Sequence, residues 1–164
     1  MKTIHLLRHA KSSWDHAGLS DKERPLNERG IASCASVGPA IYARGYQFAH
    51  VFCSAGKRAQ ETIHYVCEAI PELNIQWQVV EELYTFSAHV LLEWCQELDE
   101  DLDEIMLVGH NPAITELSSE LANRYVDHVP TCGYVKIEND VDSWQKLGRR
   151  CGTIVEFITP KSIP

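Results

Sequence analysis

The chain has 164 residues, of which 45% are hydrophobic and 23% are charged, a composition typical of one globular domain spanning residues 1–164. The balance of 15 Lys and Arg against 23 Asp and Glu gives a net charge of −8, which argues against general binding to nucleic acid or to anionic lipid. The apolar runs are too short for a membrane span, and Met1–His5 lacks the apolar core of a secretory signal. We therefore expect a cytoplasmic protein.

The first half of the chain alternates short apolar runs with segments of helical periodicity. Ile4–Leu7 is the first predicted strand, and Asn27 is predicted to cap the first helix. The expected buried positions of that helix are Ile31, Ala35, Val37, Ile41 and Tyr42. A second strand at His50–Cys53 leads into a helix that begins near Ala55. Its expected buried positions are Ala59, Ile63, Val66 and Ile70.

The second half continues the alternation, with a third strand at residues 75–80. The next helix has expected buried positions at Phe86, Val90, Leu91, Trp94 and Leu98. Ile105–Val108 is a continuous apolar run typical of a strand buried on both faces. Asn111 is predicted to cap a helix with Pro112 as its first residue, followed by Ile114, Leu117, Leu121 and Ala122. Tyr134–Glu138 and Thr153–Phe157 are predicted closing or edge strands.

This pattern predicts an α/β sandwich with a mainly parallel sheet flanked by helices, although it leaves the strand order open. Ligands of such folds bind beyond the carboxyl ends of the strands. The residues at those points are Arg8 and His9, then Lys57 and Arg58 in the opening turn of a helix, and finally His110. Two arginines and two histidines are therefore expected to converge.

Each of these residues has a structural alternative. Arg58 opposes the dipole at its helix start, so it is either part of an oxyanion clamp or a solvated, unpaired side chain. Arg8 continues an apolar strand, where burial of its charge requires an anion or a carboxylate. His9 and His110 are either site residues or histidines that pack at the ends of strands.

The cysteines raise a competing hypothesis. Cys53 and Arg58 resemble the ends of the phosphate loop of cysteine-dependent phosphatases, but four residues separate them here and five separate them in those enzymes. We therefore interpret Cys53 as the end of a buried strand. No Cys-x-x-Cys pair occurs, so we expect reduced core cysteines and no metal site. The six cysteines are Cys34, Cys53, Cys67, Cys95, Cys132 and Cys151.

Three segments together resemble the signatures of the histidine phosphatase superfamily, which includes the phosphoglycerate mutases. Leu7–His9 resembles its Arg-His signature, Ser54–Thr62 its Ser-x-x-x-Arg-Ala-x-x-Thr block, and Val108–Asn111 its strand ending in Gly-His. The short length of the chain resembles that of the SixA branch of phosphohistidine phosphatases. The same branch is resembled by two segments, Arg8–Ser12 and Asp21–Asn27. The resemblance implies a phosphoglycerate mutase-like three-layer fold.

The resemblance also implies roles for individual residues. His9 would be the nucleophile, and Arg8, Arg58 and His110 would surround the phosphoryl oxygens, with no metal or other cofactor. Arg24 would either extend the pocket rim or form a surface ion pair with Asp21.

Phosphoglycerate mutases carry a general-acid Glu in the loop after the third strand, where this chain has Thr85. Glu81 and Glu82 lie close by, as either a displaced acid or solvated loop carboxylates. A phosphohistidine substrate needs no strong acid, because its imidazole can leave with a ring nitrogen already protonated.

Three functions remain open from the sequence. The first is a SixA-type phosphatase acting on phosphohistidine in a protein partner. The second is a small-molecule phosphomonoesterase of the same superfamily. The third is a non-catalytic phosphate-binding interaction module. The sequence does not fix the physiological substrate or the oligomeric state.

Overall fold

The computed structural model describes residues Met1–Pro164 and contains six strands and four α-helices. The strands are β1 (Lys2–Arg8), β2 (Val51–Ser54), β3 (Trp77–Val80), β4 (Glu104–Gly109), β5 (Tyr134–Asn139) and β6 (Gly152–Ile158). The helices are α1 (Glu28–Tyr42), α2 (Lys57–Ala69), α3 (Ala88–Gln96) and α4 (Ala113–Ala122). The predicted alternation of strands and helices is confirmed.

The six strands form one sheet in the order β3-β2-β4-β1-β5-β6. The first four are mutually parallel, while β5 and β6 pair antiparallel at one side of the sheet. Residues of strand β4 alternate between the two faces of the sheet, and helices pack on both faces. Ile105 and Leu107 join a core with α3 and α4, whereas Met106 and Val108 join a core with α1 and α2. The result is the predicted three-layer α/β sandwich with a mainly parallel sheet.

Strand order places the functional segments together. Strands β2, β4 and β1 are parallel neighbours, so their carboxyl ends meet at one edge of the sheet. The segment before β5 also reaches this edge, because Cys132 donates its backbone N–H to the carbonyl of His9 across 3.0 Å. Residues that follow three different strands therefore surround one point.

The predicted face of α1 is wrong at three positions, because Ile31, Ala35 and Tyr42 are exposed. The buried face instead runs through small residues such as Gly30 and Gly38. A Cβ at Gly30 would collide with the carbonyl oxygen of Lys11, so this helix packs by close backbone approach. An assignment based on apolar side chains cannot detect such a face.

Several helices also begin at residues other than those predicted from the sequence. Helix α2 begins at Lys57 rather than Ala55, and α3 begins at Ala88, so Phe86 lies before the helix. Phe86 and Val90, both predicted to be buried, are exposed. Pro112 precedes α4 instead of opening it, and Asn111 Oδ1 accepts hydrogen bonds from the backbone N–H and the hydroxyl of Thr115.

All six cysteines are free, and four of them are buried. None of the helices has the length and hydropathy needed to cross a membrane.

Candidate active site

His9 follows β1 directly and is only 7% exposed. Its Nδ1–H donates to the carbonyl oxygen of Ala10 at 2.7 Å, so Nε2 of the neutral ring carries no proton. Burial is the main cause that lowers the pKa of His9 to about 4, and the nearby guanidinium groups add to it. Near pH 7 this imidazole is neutral and nucleophilic.

Arg58 lies in the first turn of α2 and is 2% exposed, so the solvated alternative is wrong. Its Nε–H donates to the unprotonated Nε2 of His9 at 3.3 Å. On its other side, Nη1 donates to the backbone oxygen of Asp21 at 2.6 Å and Nη2 donates to the Asp21 carboxylate at 3.0 Å. This pairing fixes the plane of the guanidinium beside the histidine.

Asp21 is a site residue that the sequence indicated only as a surface partner of Arg24. Its carboxylate accepts hydrogen bonds from Arg58 and from the hydroxyl of Tyr84, the latter at 2.6 Å. Burial opposes ionisation, but these two hydrogen bonds outweigh it and lower the pKa of Asp21 to about 2. Asp21 is therefore ionised at neutral pH and has no proton to donate.

His110 follows β4 and faces His9, with the ring centroids 5.4 Å apart. The Ser54 hydroxyl lies 2.7 Å from its Nε2 and also accepts the backbone N–H of Gly56. With that hydroxyl donating to Nε2, the neutral ring carries its proton on Nδ1. Nδ1 is buried and has no partner within the protein, so it can donate to a bound oxyanion. Burial, followed by the charges of His9 and Arg58, lowers the pKa of His110 to about 3.

Arg8 and Arg24 add two further cations. Arg8 donates from Nη1 to the carbonyl of Val129 at 3.0 Å, whereas its Nε is buried without a partner. Arg24 donates to the Ser12 hydroxyl at 2.9 Å and lies 3.4 Å from the Asp21 carboxylate, so the rim position and the ion pair are both present. Thus Asp21 balances only part of the positive charge.

Five of these residues, Arg8, His9, Asp21, Arg24 and Arg58, line a cleft of about 370 Å³. Its lining comprises Arg8, His9, Lys11, Ser12, Trp14, Asp21, Arg24, Arg58, Phe86, Asn111 and Thr131.

Thr62, in the second motif, connects the segment after β1 to the first turn of α2. Its hydroxyl accepts the backbone N–H of Ala10 and donates to the backbone oxygen of Arg58.

The sequence-predicted residues do not all converge. Arg8, Arg24, Arg58 and His9 line the cleft, and His110 stands beside His9. Glu82 is exposed and lies outside the cleft lining, while Glu81 forms an ion pair with Lys22 at 2.8 Å. Asp21 and Trp14 line the cleft although no sequence pattern predicted them there. Trp14 carried one detectable signal, since it is a large aromatic side chain in a polar loop.

Comparison with known proteins identifies the family of this chain. The model of the Histidine phosphatase superfamily (branch 1) matches residues 4–91, which contain the first two motifs. An uncharacterized protein of Mycobacterium tuberculosis is 26% identical over 165 residues, which cover 94% of this chain and 100% of that protein.

Two solved structures share the fold. The protein histidine phosphatase SixA complexed with tungstate aligns with a TM-score of 0.80 and 21% identity, over 98% of each chain. The mycobacterial glucosyl-3-phosphoglycerate phosphatase complexed with VO3 aligns with a TM-score of 0.69 and 13% identity, over 95% of this chain and 98% of that chain.

Proposed function

The chain belongs to the histidine phosphatase superfamily, and we propose that it transfers a phosphoryl group first to Nε2 of His9 and then to water. One observation carries the proposal: a buried, neutral His9 keeps its Nε2 unprotonated at a cleft rich in guanidinium groups. Of the three functions that the sequence left open, we favour hydrolysis of phosphohistidine on a protein. The SixA structure complexed with tungstate, a phosphate-like oxyanion, has the same fold.

In the first step, Nε2 of His9 attacks phosphorus while the bond from phosphorus to the substrate nitrogen breaks. The hydrogen bond from Nδ1 to Ala10 holds the ring in the reactive tautomer and stabilises the positive charge that develops on it. Arg8, Arg58 and the Nδ1–H of His110 would bind the three phosphoryl oxygens. A loose phosphoryl transition state spreads charge over these oxygens, so fixed donors stabilise it strongly.

In the second step, water attacks the phosphorus on His9 and the bond from phosphorus to Nε2 breaks. Inorganic phosphate leaves with the proton of the water, and His9 returns to its neutral form. We propose that both steps proceed without a metal ion, since Arg8, Arg24 and Arg58 supply the positive charge that neutralises the phosphoryl oxygens. Addition of a chelator should therefore leave the rate unchanged.

The leaving group separates the phosphohistidine and small-ester hypotheses. Asp21 is the one carboxylate in the cleft lining, and it is ionised at neutral pH. Neither Glu81 nor Glu82 lines the cleft. A sugar or glycerate alkoxide needs a proton as it leaves, whereas a protonated phosphohistidine ring leaves as neutral imidazole. The geometry therefore favours the P–N substrate.

The test is phosphate release from a phosphohistidine protein beside a panel of phosphomonoesters, combined with trapping of the phosphoenzyme. We expect release from the phosphohistidine protein and an acid-labile phosphoenzyme, both lost in His9→Ala. His64→Ala, which removes an exposed histidine of α2, is the matched control.

Other outcomes would favour the alternatives. Higher kcat/KM on small esters would indicate a phosphomonoesterase. Phosphate binding without a phosphoenzyme would indicate an interaction module.

A further inference from the structure

Two aromatic side chains stand exposed in the lining of an otherwise polar cleft. Trp14 is 79% exposed and Phe86 is 44% exposed, and both line the cleft that contains His9 and the guanidinium groups. Binding of a phosphoryl group by cations uses neither ring. Exposed aromatic side chains at a concave site are typical of a ligand-binding surface.

Trp14 is held in a defined position by Arg24. The guanidinium carbon lies 3.5 Å from the centroid of the indole, which is a close cation–π contact. Arg24 is itself fixed by hydrogen bonds to the Ser12 hydroxyl and the Ser13 carbonyl, and its side chain is only 12% exposed. The indole therefore rests on a fixed group at the cleft and keeps most of its surface exposed.

Phe86 is also fixed in place. It makes edge-to-face contacts with Tyr84 and His110, at centroid separations of 5.6 and 5.4 Å. The second ring is thereby tied to the residue proposed to bind a phosphoryl oxygen. A planar group attached to the phosphorus would meet aromatic surface at the cleft wall, where a flexible aliphatic group would gain less.

We propose that Trp14 and Phe86 form a binding subsite for a planar, heteroaromatic leaving group, which in a phosphohistidine substrate is the imidazole ring. This inference rests on the proposed function and names the chemical basis of its substrate preference. The subsite binds the ring by stacking, and the arginine cluster binds the phosphoryl group. Sugar and glycerate phosphates lack such a ring and gain nothing from it.

The kinetic test compares two substrates that share the P–N bond, phosphohistidine and phosphoramidate, of which only the first carries a ring. We expect Trp14→Ala to lower the ratio of their kcat/KM values about five- to tenfold, mainly through KM for phosphohistidine. Trp14→Phe should restore most of the ratio. Tyr42→Ala, which removes an exposed aromatic of α1 outside the cleft, should leave the ratio unchanged. An unchanged ratio in Trp14→Ala would overturn the subsite.

A binding measurement keeps the test independent of turnover. Calorimetry would compare a stable phosphonate analogue that carries a five-membered aromatic ring with methylphosphonate, in the wild type and in Trp14→Ala. We expect the wild type to bind the ring-bearing phosphonate more tightly than methylphosphonate. In Trp14→Ala this difference in affinity should be about five- to tenfold smaller. Equal preference in both proteins would reject the subsite. If the preference depends on Trp14 but no phosphoenzyme forms, the proposed reaction fails and the subsite stands.

Discussion

The guanidinium of Arg58 lies against the ring of His9, with its Nε 3.3 Å from the Nε2 that would attack phosphorus. This contact keeps a positive charge beside a nitrogen that must stay neutral to react. It contributes to the low pKa of His9, although burial is the larger cause. The same cation would then stabilise the phosphoryl oxygens once His9 carries them. Arg58 would therefore keep His9 neutral before the reaction and bind the phosphoryl group during it.

We expect Arg58→Ala to lower transition-state stabilisation by about 3–4 kcal/mol, the scale seen when a preorganised charge-stabilising donor is removed. It should also reduce the protection that phosphate gives against thermal unfolding. Because Arg58 is buried and paired with Asp21, the variant should melt at a lower temperature even without phosphate. Steady-state kinetics and melting curves with and without phosphate measure these effects.

Lys57→Ala is the matched control, since Lys57 shares the first turn of α2 but is exposed. It should keep both its activity and its response to phosphate. If Arg58→Ala retained wild-type kcat/KM, the placement of the phosphoryl group beside this arginine would be wrong.

A second prediction concerns Ser54, whose hydroxyl lies 2.7 Å from Nε2 of His110. Ser54→Ala removes the group that holds the proton of this ring on Nδ1, the atom proposed to contact a phosphoryl oxygen. We expect kcat to fall about tenfold or more, with a smaller change in KM. Ser54→Thr should recover part of the loss, because it restores a hydroxyl at this position. A Ser54→Ala protein with unchanged kcat would remove the Ser54 hydroxyl from the mechanism.

The residues that follow the strands, such as His9 and His110, could be predicted from the sequence. Hydrophobic patterns locate the strands, and ligands of α/β sheets bind at the carboxyl ends of those strands. The apolar run Ile105–Val108 identifies β4 as buried on both faces, and His110 must then follow it at the edge where ligands bind. Parallel pairing of β4 with β1 brings His9 to the same edge.

The rest of the site depends on loop paths, for which the sequence carries no periodic signal. Asp21 reaches Arg58 across 37 positions of the chain, and Tyr84 reaches Asp21 across 63. The face of α1 was mispredicted for a related reason. Its contact with Lys11 runs through Gly30, which hydrophobic periodicity does not count as a packing residue.

A third prediction separates the histidine mechanism from the cysteine alternative. The Cys53 thiol is fully buried, and desolvation raises its pKa well above the usual range, so a reactive thiolate does not form. We expect Cys53→Ala to keep kcat/KM within about threefold of the wild type, with a loss of roughly 1 kcal/mol in stability from the small cavity. Phosphoenzyme trapping and urea unfolding test the two parts. A folded variant without the phosphoenzyme would revive the cysteine hypothesis.

The last prediction concerns stability at acid pH. Burial lowers the pKa of His9 to about 4 and that of His110 to about 3, while an unfolded histidine titrates near 6.5. As the pH falls from about 6.5 to 4, the unfolded chain binds protons at both positions and the folded protein does not. The free energy of unfolding should therefore decrease over this range, by up to about 1.4 kcal/mol per pH unit for each histidine. Urea unfolding at pH 7, 6 and 5 measures this slope. His9→Asn should reduce it by one histidine's share, whereas His64→Asn, at an exposed position, should retain the wild-type slope. Equal slopes in the wild type and His9→Asn would mean that His9 is not held neutral by the fold.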